Sequence, residues 1–205
     1  MLKEMKILQQ EFYILNEDYE GGYAEAIYIN NKYEVEVCNL CGGRKIKRTS
    51  KLTVYFEGKK EADIYQVPQY TIINTKVHNI LKGMNASGFN VEDIDMLGCY
   101  DNKGNPVQLD VSGLKEMIVN GRCGYLRNKD GILVEKCEQC NKFSSASKNN
   151  VHGLSINLDE WDGSDVFFFK NWFGVVIVTE RVKNTLEQAK LKNIRFQNIK
   201  EFEFI

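Results

Sequence analysis

The sequence has little with which to run a reaction. Two histidines among 205 residues leave few groups that titrate near neutral pH for an acid–base scheme. No Gly-x-x-x-x-Gly-Lys loop, Gly-x-Ser-x-Gly elbow or His-Glu-x-x-His helix occurs, which removes three of the commonest phosphate-binding, hydrolase and metalloprotease signatures. Neither sign of charge is in excess. With 27 basic and 28 acidic residues the net charge is −1, so no bulk field draws the chain to nucleic acid or to an anionic membrane. No run of about 18 apolar residues is present, and Met1-Leu2-Lys3-Glu4-Met5-Lys6 lacks the apolar stretch and small-residue cleavage site of a signal peptide. These absences predict a cytoplasmic protein that is not an enzyme and does not enter a membrane.

What is present is a core and a cysteine pattern. A hydrophobic fraction of 43%, with 11% aromatic residues, suffices for one packed α+β domain over residues 1–205. Cys38-Asn39-Leu40-Cys41-Gly42 and Cys137-Glu138-Gln139-Cys140-Asn141 each set two thiols two residues apart. Turns of that spacing aim both sulfurs at one ion, and two of them complete a tetrahedral zinc shell. Gly42 and Asn141 occupy the place where such a turn needs positive φ. Cys38, Cys41, Cys137 and Cys140 are therefore the expected ligands of a structural Zn2+, in knuckles spanning 33–48 and 132–143. Two reversible disulfides or a redox pair are the rival reading, although no thioredoxin-like βαβ pattern flanks either motif. Cys99 and Cys123 stand alone and read as small buried residues. His78 falls opposite the apolar stripe of a helix, and His152 would be superfluous beside four thiols.

The remaining pattern is mostly strands. Phe12 to Leu15 reads as a first strand, and Tyr33 to Val37 alternates apolar with acidic residues as a half-buried strand does. Lys51–Phe56 and Asp63–Val67 suggest a hairpin, and short strands are expected between Phe89 and Val119. A second hairpin, around Asp130-Gly131, leads to Cys137. Val77, Ile80 and Leu81 have helical spacing behind a Thr75 cap, with Gly83 at the stop. A polar loop over 144–150 marks a carboxy-terminal subregion, 152–205. There Val166–Phe169 and Gly174–Val178 read as core strands, and Val182, Leu186 and Ala189 as the apolar face of a helix capped by Thr179. A last strand follows over Ile194–Gln197. The expected fold is mostly antiparallel strands, with a zinc-ribbon-like four-cysteine site and a carboxy-terminal strand-helix-strand unit.

Two charged clusters are candidates for contacts. Arg44, Lys45, Lys47, Arg48 and Lys51 follow the first knuckle; they either balance a dication with four thiolates, formally −2, or touch phosphates. Asp159, Glu160, Trp161, Asp162 and Asp165 form either a solvated turn or a docking patch for a basic partner. The Glu92-Asp93-Asp95 group reads as a solvated edge.

The two cysteine motifs, with Trp161-Asp162-Gly163-Ser164-Asp165-Val166-Phe167 and Val178-Thr179-Glu180-Arg181-Val182, resemble the double-CxxCG motif immunity proteins of bacterial polymorphic toxin systems. The likeness runs from residue 38 to the end, and departs where Asn141 replaces the glycine of the second motif. It implies a cytoplasmic protein that binds and neutralises a cognate toxin protein without turnover of its own. The competing class is a zinc-ribbon protein bound to nucleic acid or to the ribosome through the basic run. Neither reading sets the oligomeric state.

Overall fold

The computed structural model describes residues 10–204, so the amino-terminal lead lies outside the described residues. Among these residues the chain forms fourteen strands, most of them paired antiparallel, and two α-helices.

The central element is a five-stranded sheet. Its strands are β1 (Phe12–Asn16), β11 (Gly121–Arg122), β12 (Val166–Phe169), β13 (Trp172–Thr179) and β14 (Arg195–Asn198), in the order β11-β12-β13-β1-β14. Every pairing is antiparallel except β11 with β12. Residues of β12 alternate between two cores. Val166 and Phe168 join Leu15, Val176 and Val178 on one face, while Phe167 and Phe169 join Phe12, Ile14 and Ile177 on the other. A strand buried on both faces reads as an unbroken apolar run, which is why Val166–Phe169 shows no polar alternation.

A second sheet packs across the first of these cores. It consists of β6 (Ile64–Val67), β7 (Tyr70–Ile73), β8 (Phe89–Asp93) and β10 (Lys115–Val119), ordered β6-β7-β10-β8 and wholly antiparallel. Helices α1 (Thr75–Gly83) and α2 (Glu180–Gln188) bury Val77, Leu81, Val182 and Leu186 in that shared core. The opposite face of this sheet meets a third core, with Tyr65, Val67 and Ile72 against Ala26, Val54 and Phe56. These last belong to a three-stranded sheet, β2 (Glu25–Tyr28), β5 (Thr53–Glu57) and β9 (Asp95–Tyr100), ordered β2-β5-β9.

Several local expectations change. Lys51–Phe56 and Asp63–Val67 form no hairpin: β5 and β6 lie in different sheets, and β6 pairs with β7 through a turn at Pro68-Gln69. Gln69 takes φ 74° there, a conformation that the turn residues of sequence pattern books seldom assign to glutamine. The cap of α1 is Asn74, whose side chain accepts from the Val77 N–H at 3.0 Å. Thr179 does precede α2, but its hydroxyl donates to Asp165 at 3.1 Å and makes no cap bond to the helix.

Candidate metal centre

The two cysteine turns are built alike. In the first, the Cys38 N–H donates to the Gly43 carbonyl and the Gly42 N–H returns to the Cys38 carbonyl, both at 2.9 Å. In the second, Cys137 donates to Lys142 and Asn141 donates to Cys137, again at 2.9 Å. Gly42 has φ 65° and Asn141 φ 59°, the left-handed conformation expected at both places. No Cβ clash prevents a larger residue at Gly42, so only backbone conformation selects glycine there.

Each turn hangs from a different part of the fold. The first closes the two-stranded ribbon β3 (Tyr33–Val37) and β4 (Arg44–Arg48). The second is anchored by Val134 and Phe143, which are buried in the aromatic core behind the five-stranded sheet, and by the Lys136–Phe143 bridge. Across this gap the Sγ atoms of Cys38 and Cys137 approach to 3.8 Å and those of Cys41 and Cys140 to 3.6 Å. All four sulfurs lie within 4.8 Å of one another and could hold a metal ion. Tetrahedral bonds of about 2.3 Å to a common ion require sulfurs about 3.8 Å apart, so the sulfur cage has the right size.

The electrostatics of the cage favour a cation. N–H groups of Cys41 and Leu40 pull the Cys38 thiol below its ordinary value, and those of Cys140 and Gln139 bring Cys137 down to about 6. The Gly43 N–H favours the Cys41 thiolate, but hydrogen bonding to the Cys137 and Cys140 sulfurs outweighs it and pushes Cys41 up to about 12. Four sulfurs this close cannot all ionise without an opposing charge, and a bound cation removes that conflict by holding all four as thiolates. Cys41 and Cys140 are exposed, Cys38 and Cys137 half-buried. Cys99 and Cys123 lie elsewhere, and burial pushes both of their thiols up, in keeping with unreactive packing residues.

The ribbon that carries the first turn departs from expectation. Its alternation predicts a half-buried strand, yet every residue of β3 is exposed. Val35, Val37 and Ile46 are 52%, 58% and 47% exposed. Register explains the arrangement: Val35 faces Ile46 and Val37 faces Arg44 on one side, while Glu34 faces Lys47 and Glu36 faces Lys45 on the other. A lone two-stranded ribbon has an apolar face but no second layer to cover it. The alternation was a signal for an amphipathic strand, and nothing local to it tells whether the apolar face meets its own core or solvent.

The basic run is not a free patch. Arg48 pairs with buried Glu116 and lies 4.8 Å from the Tyr70 ring centroid, Lys45 reaches Glu36 at 3.5 Å, and Lys51 reaches Asp95 at 3.0 Å. Carboxylates of the protein thus answer three of the five charges, those of Lys45, Arg48 and Lys51. In the Glu92-Asp93-Asp95 group, Asp93 likewise contacts Lys115, as a solvated edge would.

Much of the acidic cluster is engaged within the fold, while Asp159 and Asp162 stay exposed. Asp165 is buried; it accepts from the Ser87 N–H at 2.9 Å and from Thr179, and pairs with Arg181. Asp162 accepts from the N–H groups of Arg122 and Ser164 at 2.8 and 3.0 Å. Glu160 holds Arg127 at 3.2 Å and Asn157 at 2.8 Å. The Trp161 ring packs edge-on to Phe12 at 5.3 Å, and its Nε1 donates to the Ser164 carbonyl. Among the described residues, Asp159 alone of these four acids has a carboxylate that accepts no hydrogen bond and joins no ion pair. The acids here close a turn against β11 and β12, a role that adjacency in sequence does not distinguish from a surface patch. His152 contacts Glu203 at 2.9 Å and takes no part in the cysteine cluster.

Comparison with family models gives no match for this chain, and comparison with curated proteins gives none either. No helix among the described residues is long and apolar enough to cross a membrane.

Proposed function

We propose that this chain is a binding protein clamped by structural zinc, and specifically an immunity protein that neutralises a cognate toxin protein in the cytoplasm. The observation that carries the reading is the ribbon of β3 and β4: an exposed apolar face, pinned at its tip by four sulfurs that converge from both turns. Four cysteine ligands fill a tetrahedral zinc shell and leave no place for a reacting water, so the ion acts as a staple. Exposed apolar surface of this kind marks a protein contact. The reverse face, with Glu34 and Glu36 opposite Lys47 and Lys45, is balanced in charge, and balanced charge suits a protein partner better than a polyanion. The reading also draws on the resemblance of the two cysteine motifs and of Val178-Thr179-Glu180-Arg181-Val182 to immunity proteins.

The zinc-ribbon nucleic-acid reading is weaker, because three of the five basic residues it needs are matched with Glu36, Glu116 and Asp95. The test begins with the reading frame preceding this one, which the proposal expects to encode a toxin domain. Co-expression is expected to restore growth, and Val35→Asp combined with Ile46→Asp is expected to abolish protection while leaving the fold and the zinc content intact. Protection unchanged by these substitutions would remove the ribbon from the interface. Salt-sensitive binding to RNA or DNA, with no toxin partner, would favour the nucleic-acid reading instead.

A further inference from the structure

Two close sulfur pairs bridge the opposite turns. Cys38 faces Cys137 at 3.8 Å and Cys41 faces Cys140 at 3.6 Å, each pair 99 residues apart in sequence. Two of the four, Cys41 and Cys140, are exposed, so a small oxidant reaches the cage without any opening of the fold. Buried Cys123 is shielded from it.

We propose that the cage has a second, covalent state: a hydroperoxide expels the ion and joins Cys38 to Cys137 and Cys41 to Cys140. The inference rests on the zinc reading above. In each pair one thiolate attacks the peroxide, breaking the O–O bond and forming a sulfenic acid with release of water. The neighbouring thiolate then attacks that sulfur, an S–S bond forms, and the hydroxyl leaves as a second water. For the whole site, two molecules of hydrogen peroxide and four protons consume four thiolates and yield two disulfides, four waters and the freed dication.

The pairing has a structural consequence. A disulfide within one turn would close only a short ring and leave the ribbon tip unattached to the second turn. A disulfide between turns closes a loop of roughly a hundred residues, which constrains the unfolded chain far more and keeps the ribbon tip where the ion held it. Oxidation therefore exchanges one clamp for another, and the ribbon face survives the loss of metal.

The experiment starts from purified, reduced protein whose zinc content has been measured. Hydrogen peroxide is added in steps, freed zinc is followed with a chromogenic chelator, remaining thiols are alkylated, and disulfides are mapped by mass spectrometry without reduction. The expected result is one zinc freed per two peroxides, with peptides from the two turns cross-linked. The double variant Cys41→Ser with Cys140→Ser is expected to form the Cys38–Cys137 bond, and Cys38→Ser with Cys137→Ser the Cys41–Cys140 bond. Disulfides confined to single turns, Cys38 to Cys41 and Cys137 to Cys140, overturn the inference while leaving the zinc reading in place. Protein that holds no zinc before peroxide is added overturns the zinc reading itself.

Discussion

The Arg48 guanidinium meets the Glu116 carboxylate where the exposed ribbon joins the four-stranded sheet, and the two side chains are only 9% and 3% exposed. A residue of an apparently solvated basic run is thus the root of the ribbon. The ribbon is held at its base by this ion pair, its tip brings two of the four clustered sulfurs, and an apolar face is exposed between them.

Removing one partner of that pair is expected to cost more than removing both. Glu116→Ala strands a buried guanidinium and should destabilise the chain by about 3–5 kcal/mol, whereas Arg48→Met with Glu116→Leu should cost much less. Urea denaturation of the three proteins measures the difference. Equal losses for the single and double variants would show that the pair is not buried in solution.

Asp165 supplies a pH dependence with a definite sign. Burial works to raise its carboxyl, but the Ser87 N–H, Arg181 and Thr179 outweigh burial and hold it below the usual carboxylate range. A depressed folded-state value contributes stability that is present above the unfolded value, about 3.9, and is lost as pH falls through the lower folded one. Asp165→Asn should therefore cost about 2 kcal/mol at pH 7, and the gap from the parent protein should close as pH falls below about 4. A gap that stays constant down to acid pH would contradict this assignment.

The two turns predict opposite responses to substitution. Gly42→Ala places a Cβ in open space at φ 65°, so it should lose only the conformational term of about 1 kcal/mol. Asn141→Gly relieves the same conformation at φ 59° but forfeits the Lys136 contact at 2.6 Å, and should be close to neutral. Thermal denaturation with and without a chelator reads both effects. A large loss from Asn141→Gly would mean that its amide, and not its backbone, serves the turn.

Cysteine spacing and turn chemistry made the four-cysteine cluster legible from sequence, because both act within five or six residues and both are present in the fold. The apolar runs Val166–Phe169 and Gly174–Val178 were legible too: Val166–Phe169 and Val176–Val178 are buried on two faces and admit no polar residue. Long-range matters were not legible. Whether β5 pairs with β6 or with β2, and whether the apolar side of β3 is covered, depend on layers contributed by distant segments. The internal contacts of the cluster from Asp159 to Asp165 were hidden for a related reason. Its partners Ser87, Arg122, Arg127 and Arg181 stand far away in the chain, so its carboxylates looked free when most of them bind the fold together.

The central claim is that Cys38, Cys41, Cys137 and Cys140 hold one structural ion. Elemental analysis of freshly purified, reduced protein tests it most directly: the account predicts one zinc per chain, and a zinc-to-protein ratio near zero would contradict it.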